Sequence, residues 1–276
     1  MATAALAAED TIEPAGPMCI PKIAHSLGGF RRWVKSPQFP QHARVSFLAG
    51  ELFVELGPDS AVNVPTSALS LAGFRRWAKS EDFPDRGRIS FLAGELFIDM
   101  SPEELETHNQ VKVVTSSRLF TVADRRDLGR FYGDGTLVTN KRAGLSTEPD
   151  GTFVSWESLE TQRVRLVPRK GASGQFIEVE GSPDMTLEII SESSVGKDTN
   201  RLMLLYYRAG VREYWLIDAR GDELIFRIFV HKPAGYIAVP SRQGWLHSPV
   251  FGCSFRLRRR RARMNLWRYT LETRSK

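Results

Sequence analysis

Two hydrophobic periods share the first hundred residues. A short helical pattern is followed by a pair of alternating runs, and then the whole arrangement returns. Phe30-Arg31-Arg32-Trp33 reappears as Phe74-Arg75-Arg76-Trp77, and Ser46-Phe47-Leu48-Ala49-Gly50-Glu51-Leu52-Phe53 as Ser90-Phe91-Leu92-Ala93-Gly94-Glu95-Leu96-Phe97, at a constant offset of 44 residues. Each copy reads as a short amphipathic helix, a Phe-Pro turn and two strands around an Ala-Gly turn. Such a unit exposes an apolar face and needs something to pack against. The copies continue differently. The first runs into Gly57-Pro58-Asp59-Ser60 and a linker to about Ser70. The second runs into Met100-Ser101-Pro102-Glu103-Glu104, which opens a long helix with Ser101 as its cap and Pro102 as its first residue. Residues 1–27 are small and polar, with no period, and read as a disordered leader. The chain therefore divides into a leader over 1–27, a duplicated helix–hairpin unit with its linker over 28–70, and a main domain over 71–276. The second copy belongs to the main domain, and the first is an appendage.

Beyond that point the pattern predicts a helix over 102–124 and a glycine-containing loop at 129–135. Strands follow at 136–139 and 151–155, then a hairpin of 163–167 with 175–180. A buried strand at 185–190 precedes a helix over 197–209 that Gly210 ends. Strands at 213–218, 224–230 and 236–239 complete the set. Long helices precede and interrupt the strands, so the fold class is α/β, a mixed sheet flanked by helices.

Composition narrows the function classes. Of 276 residues, 42% are hydrophobic and 25% charged, which excludes a wholly disordered or fibrous chain. No apolar run is long enough to span a membrane. Two cysteines, Cys19 and Cys253, exclude a disulfide framework, and a reducing cytoplasm is the default location. The net charge of +6 is uneven, because Arg256, Arg258, Arg259, Arg260, Arg261 and Arg263 crowd together near the C-terminus. Two readings stand side by side: contact with nucleic-acid phosphates, or a guarded sheet edge.

The candidate chemistry lies in Pro183-Asp184-Met185-Thr186-Leu187-Glu188-Ile189-Ile190. Alternation puts Asp184, Thr186, Glu188 and Ile190 on one face. An acid inside a core-like strand is costly unless paired or bound to metal. Glu188 is that acid, and a buried arginine partner is the alternative to a metal. Asp184 is roughly 13 Å away along a regular strand, too far to share one ion with Glu188. If strands 151–155 and 185–190 are antiparallel neighbours, Asp150 lies opposite the Glu188–Ile190 end. Two carboxylates there would suit Mg²⁺ or Mn²⁺, and Lys197 opens the next helix. His108 is either a site residue or a packing histidine.

Four blocks in order resemble the Uma-two family of restriction endonucleases, over residues 88 to about 257. They are Gly94-Glu95-Leu96 through Met100-Ser101-Pro102 to His108, Glu148-Pro149-Asp150-Gly151-Thr152-Phe153-Val154, Pro183 to Ser191, and Gly210-Val211-Arg212-Glu213-Tyr214-Trp215-Leu216-Ile217-Asp218. The resemblance implies a restriction-endonuclease-like fold of the PD-(D/E)XK superfamily and Mg²⁺-dependent hydrolysis of DNA. It implies that Asp150 and Glu188 bind metal, with Asp184 as the motif's leading acid. One position departs: where many members carry a lysine four residues before the helix tyrosine, here Tyr206, this chain has Leu202. Lys197 or Arg201 is the candidate substitute. Arg258, Arg259, Arg260 and Arg261 are the expected DNA contacts. A homodimer, an inactive nucleic-acid-binding derivative, and a protein-interaction module whose N-terminal duplicate mediates assembly are all compatible with the sequence.

Overall fold

Strand Met185–Ile189 sits at the centre of the computed structural model, which describes residues 16–40, 43–56 and 61–275. All five of its residues are buried. It pairs antiparallel with Gly151–Ser155 on one side and parallel with Glu213–Asp218 on the other. A parallel neighbour requires a crossover. The crossover here is a wide π-helical turn, Lys197–Leu202, that tightens into the α-helix Met203–Ala209. Gly210 ends it at φ 79°, a conformation that favours glycine. Gly129–Gly133, Ile225–Lys232 and Gly235–Ala238 complete a six-stranded sheet.

Alternation along the central strand dictates its two covers. Helix Gln110–Arg125 brings Val111, Leu119 and Ala123 into the core that holds Phe153, Met185, Leu187 and Trp215. On the other side Leu205 and Tyr206 pack with Tyr214 and Leu216. The mixed α/β architecture predicted from the sequence is present, but divided. A second, seven-stranded sheet runs in the order Met18–Pro21, Glu95–Asp99, Arg88–Leu92, Leu145–Thr147, Val138–Asn140, Phe176–Gly181, Val164–Pro168. A three-stranded sheet of Leu246–Ser248, Cys253–Arg261 and Trp267–Arg274 closes the C-terminal end.

The N-terminal segments exchange strands. Hairpin Arg44–Leu48/Glu51–Glu55 is completed by Ala61–Pro65, which precedes the second helix, Leu71–Trp77. Hairpin Arg88–Leu92/Glu95–Asp99 is completed by Met18–Pro21, which precedes the first helix, Leu27–Val34. Leu52 faces Val64 and Leu96 faces Ile20, the same register displaced by 44 residues. Ser26 and Ser70 cap the two helices by accepting the N–H of Gly29 and Gly73. A Cβ on Gly73 would stand 1.7 Å from the Ser67 carbonyl oxygen, so the helix can approach its preceding turn only with glycine there. Trp33, Leu52, Phe74, Trp77, Leu96 and Ile98 share one core.

Several expectations shift. Residues 18–27, assigned to the leader, form a strand, a 3₁₀ turn and a helix start, because Met18 and Ile20 are buried against the second hairpin. Residues 1–15 of that leader, and the loop expected at 57–60, lie outside the described residues. The linker expected up to 70 contains strand Ala61–Pro65. The long helix begins at Leu105, not Pro102, because the Glu104 carboxylate accepts the N–H groups of Glu106 and Thr107 and so takes the capping role from Ser101.

Candidate functional site

Asp150 and Glu188 meet across the paired strands. Gly151 faces Leu187 and Thr152 faces Thr186, so one further step of that register sets Asp150 opposite Glu188. Directly opposed residues project from the same face of a sheet. Both are buried, at 2% and 3% exposure.

Basic groups ring Asp150. Its Oδ2 accepts the Ile189 N–H at 2.8 Å. Arg88 and Lys112 approach Oδ1 to 3.5 and 3.4 Å, and His108 Nε2 approaches Oδ2 to 3.6 Å. His108 is fixed between the Glu103 carboxylate, 2.8 Å from Nδ1, and the Ile189 carbonyl, 2.9 Å from Nε2. Lys112 also holds Asp134 at 2.7 Å. Burial pushes the Asp150 carboxyl up, but the His108 contact and the charges of Arg88, His108 and Lys112 outweigh it and hold the group well below the usual carboxylate range.

Glu188 is shifted the other way. Burial, reinforced by the negative charge of Asp198, raises it well above an ordinary glutamate, against the pull of Lys197 and of the Tyr206 hydroxyl. That hydroxyl donates to Glu188 Oε1 at 2.6 Å. Lys197 is buried, with its ammonium 5.3 Å from the centre of the Phe97 ring. Burial lowers it, yet Asp198 and Glu188 more than restore its charge and raise it overall. Its Nζ lies 3.3 Å from Asp198 Oδ1 without the alignment of a hydrogen bond, so that buried oxygen accepts none. Leu202 is fully buried in the core and offers no polar group. Arg201 turns away from the acids to Glu95, at 2.6 Å, and to the Leu92 carbonyl, at 2.8 Å.

Asp184 is not brought to this site. It precedes the far end of the central strand and receives the Ser155 N–H at 2.7 Å, the Ser158 hydroxyl at 3.0 Å, and Arg163 and Arg212 at 2.5 and 3.0 Å. Those donors engage both of its oxygens. It lines a cleft of about 750 Å³ together with Arg163, Arg212 and Glu213. The Asp150 cluster lies elsewhere: its neighbours Arg88 and Glu103 line a cleft of about 530 Å³ with Asp134 and Glu148.

Residues 71–258 match the model of the Uma2 family, described as "Putative restriction endonuclease". The chain belongs to this family. A crystal structure of a "putative nuclease" from Anabaena variabilis is similar at 19% identity with a TM-score of 0.49, covering 66% of this chain and 90% of that one. No curated protein matches. Among the described residues, no helix is long and apolar enough to cross a membrane.

The Uma2 chain separates its expected DNA contacts by strand alternation. Arg258 and Arg260 point to the open face of strand Cys253–Arg261, opposite Thr270 and Arg268, along a groove of about 520 Å³. Arg259 instead donates to the carbonyls of Ala219, Gly221 and Asp222 at 2.8, 2.9 and 2.7 Å and lies over the Trp267 ring. Arg261 donates to the Asn265 carbonyl at 2.7 Å and covers the same ring. The Trp267 N–H donates to Glu106, which ties this sheet to the turn carrying His108.

The sequence reading passed over Arg88, Glu103, Lys112 and Asp198. Lys112 had a legible signal, since it follows His108 by four residues and so shares its helical face. Arg88 and Asp198 had none, because long-range folding alone brings them to the acids.

Proposed function

We propose that this Uma2 chain is a divalent-metal-dependent endonuclease acting on DNA, with Asp150 and Glu188 as its metal-binding carboxylates. The observation that carries the reading is their opposition across paired strands, with buried Lys197 beside them. The donor set fits a small hard cation. Mg²⁺ characteristically takes one or two carboxylates and completes its shell with water and substrate phosphate oxygens. Among the described residues no three His, Cys, Asp or Glu side chains are grouped to hold an ion unaided, and such a site does not need them. Asp198, ion-paired with Lys197 at 3.3 Å, adds negative potential beside Glu188.

When bound, the ion supplies positive charge against the charge that develops on phosphorus-bound oxygens. The chain's own residues do the rest. Lys197 holds a fixed positive charge near Glu188 in place of the lysine missing at Leu202. Arg88 and Lys112 lie between Asp150 and the adjacent cleft, where they orient a phosphate. His108 fixes the Ile189 carbonyl and Asp150 relative to each other. Arg258 and Arg260 contact the nucleic-acid backbone.

Nicking of supercoiled plasmid is the test. The reading expects nicking with Mg²⁺ or Mn²⁺, none with chelator, and a loss of at least a hundredfold in Asp150→Asn and in Lys197→Met. Leu202 favours a second reading, DNA binding without turnover. Salt-sensitive binding with no ion-supported nicking would select it.

A further inference from the structure

The second N-terminal segment docks on the main domain through residues that the first segment repeats. Arg75 reaches Glu178 at 2.6 Å and also Glu180, and Lys79 reaches Glu178 at 2.8 Å. The Ser90 hydroxyl meets that of Thr147 at 2.8 Å. Strand Arg88–Leu92 takes Leu145–Thr147 as its antiparallel neighbour. Stepping back 44 residues finds the same types at Arg31, Lys35, Ser46 and Leu48. Their surroundings differ. Arg31 and Lys35 are exposed. Among the described residues strand Arg44–Leu48 is the edge of its sheet, with no strand beyond it. Leu48 is 59% exposed where Leu92 is fully buried.

Core packing does not require these outward residues. Exposed positions of the two segments agree only in part: Pro37 stands against Glu81 and Gln38 against Asp82, while Arg32 matches Arg76 and Ala49 matches Ala93. The docking set is retained whole. We propose that Arg31, Lys35 and the Arg44–Leu48 edge form a docking surface for a partner protein. The internal precedent states the partner's chemistry: a free antiparallel strand bearing a hydroxyl, in a sheet that also presents two carboxylates at alternate positions, as Thr147, Glu178 and Glu180 do here. Strand addition to an open edge supplies main-chain hydrogen bonds, and the basic pair supplies selectivity for acid. The matching surface of a second copy of this chain is already filled, because Leu145–Thr147 is paired on both sides. The inference is independent of the nuclease reading.

The probe is a fluorescein-labelled, backbone-cyclised three-stranded sheet peptide with Leu-Ser-Thr on its edge strand and Glu-Val-Glu on its far strand. Titration with the full chain should give saturable anisotropy, and hydrogen exchange at 44–48 should slow. Affinity should fall at least tenfold for the Arg31→Glu/Lys35→Glu chain. It should also fall at least tenfold for a peptide with lysines replacing the glutamates, a control that needs no folded variant. Absence of binding, equal binding to the double variant, or protection only on another surface overturns the proposal. So does a silent peptide alongside a double variant that loses a sedimenting dimer or DNA affinity, which would give the face to a second copy or to nucleic acid.

Discussion

Burial makes charge costly at Glu188 and raises its carboxyl above an ordinary glutamate. Its raised pKa has a definite sign in stability. Between the ordinary glutamate value of 4.5 and its folded value, the native state carries a proton that the unfolded state has released. Metal-free stability therefore falls as pH rises through that window, by at most about 1.4 kcal/mol per pH unit. Glu188→Gln should remove this slope and be neutral or stabilising without metal, as thermal melts from pH 5 to 8 would show. A large fall in melting temperature would mark Glu188 as a structural ion-pair member instead. Asp150 has the opposite sign: its contribution is present above the ordinary aspartate value of 3.8 and is lost as pH falls through its depressed folded value. Asp184 resembles Glu188 in the pattern, but its partners are Arg163 and Arg212. Asp184→Ala should cost about 3 kcal/mol in chemical denaturation by stranding that network. Strand alternation made Glu188 legible as an acid in an apolar run. It could not distinguish an acid awaiting a ligand from one already paired, because the pairing spans distant segments.

Strand exchange changes what the first helix–hairpin segment is for. From the sequence, removing residues 1–70 leaves an intact domain, since only the second copy continues into the long helix. The pairing of Met18–Pro21 with Glu95–Asp99 predicts otherwise. Truncation would uncover Leu96 and Ile98, each worth about 1.5–3 kcal/mol when buried. It would also open a sheet edge beside Arg88 and Phe97. We expect the truncated chain to aggregate or unfold without cooperativity; a monomer with an unchanged melting transition would contradict this. The C-terminal arginine strand illustrates the same limit. The run was legible as charge, but which residues face outward depends on register. Gln substitution of Arg258, Arg260 and Arg268 should flatten the plot of log affinity against log salt by roughly one unit for each arginine that touches a phosphate. Substituting Arg259 and Arg261 should lower the melting temperature instead, because their guanidinium groups satisfy main-chain carbonyls. A salt slope unchanged in the first variant would leave the strand as a guarded edge.

At the scale of the whole molecule, two sheets and an exchanged N-terminal pair converge on one buried cluster. The six-stranded sheet supplies Asp150 and Glu188, the crossover supplies Lys197 and Asp198, the long helix supplies His108 and Lys112, and the second hairpin supplies Arg88. The mixed α/β class and Glu188 could be read from periodicity, and Asp150 from a supposed antiparallel pairing and the family resemblance. The division into two sheets could not, because strand order depends on contacts between segments far apart in the chain. The central claim is that Asp150 and Glu188 together hold a divalent ion and Asp184 does not. Titration calorimetry with Mn²⁺ tests it most directly, on wild type, Asp150→Asn, Glu188→Gln and Asp184→Asn chains, each first shown to be folded. The account predicts saturable binding by wild type and Asp184→Asn and at least a tenfold loss in the other two. Unchanged binding in Glu188→Gln, or a loss confined to Asp184→Asn, would contradict it.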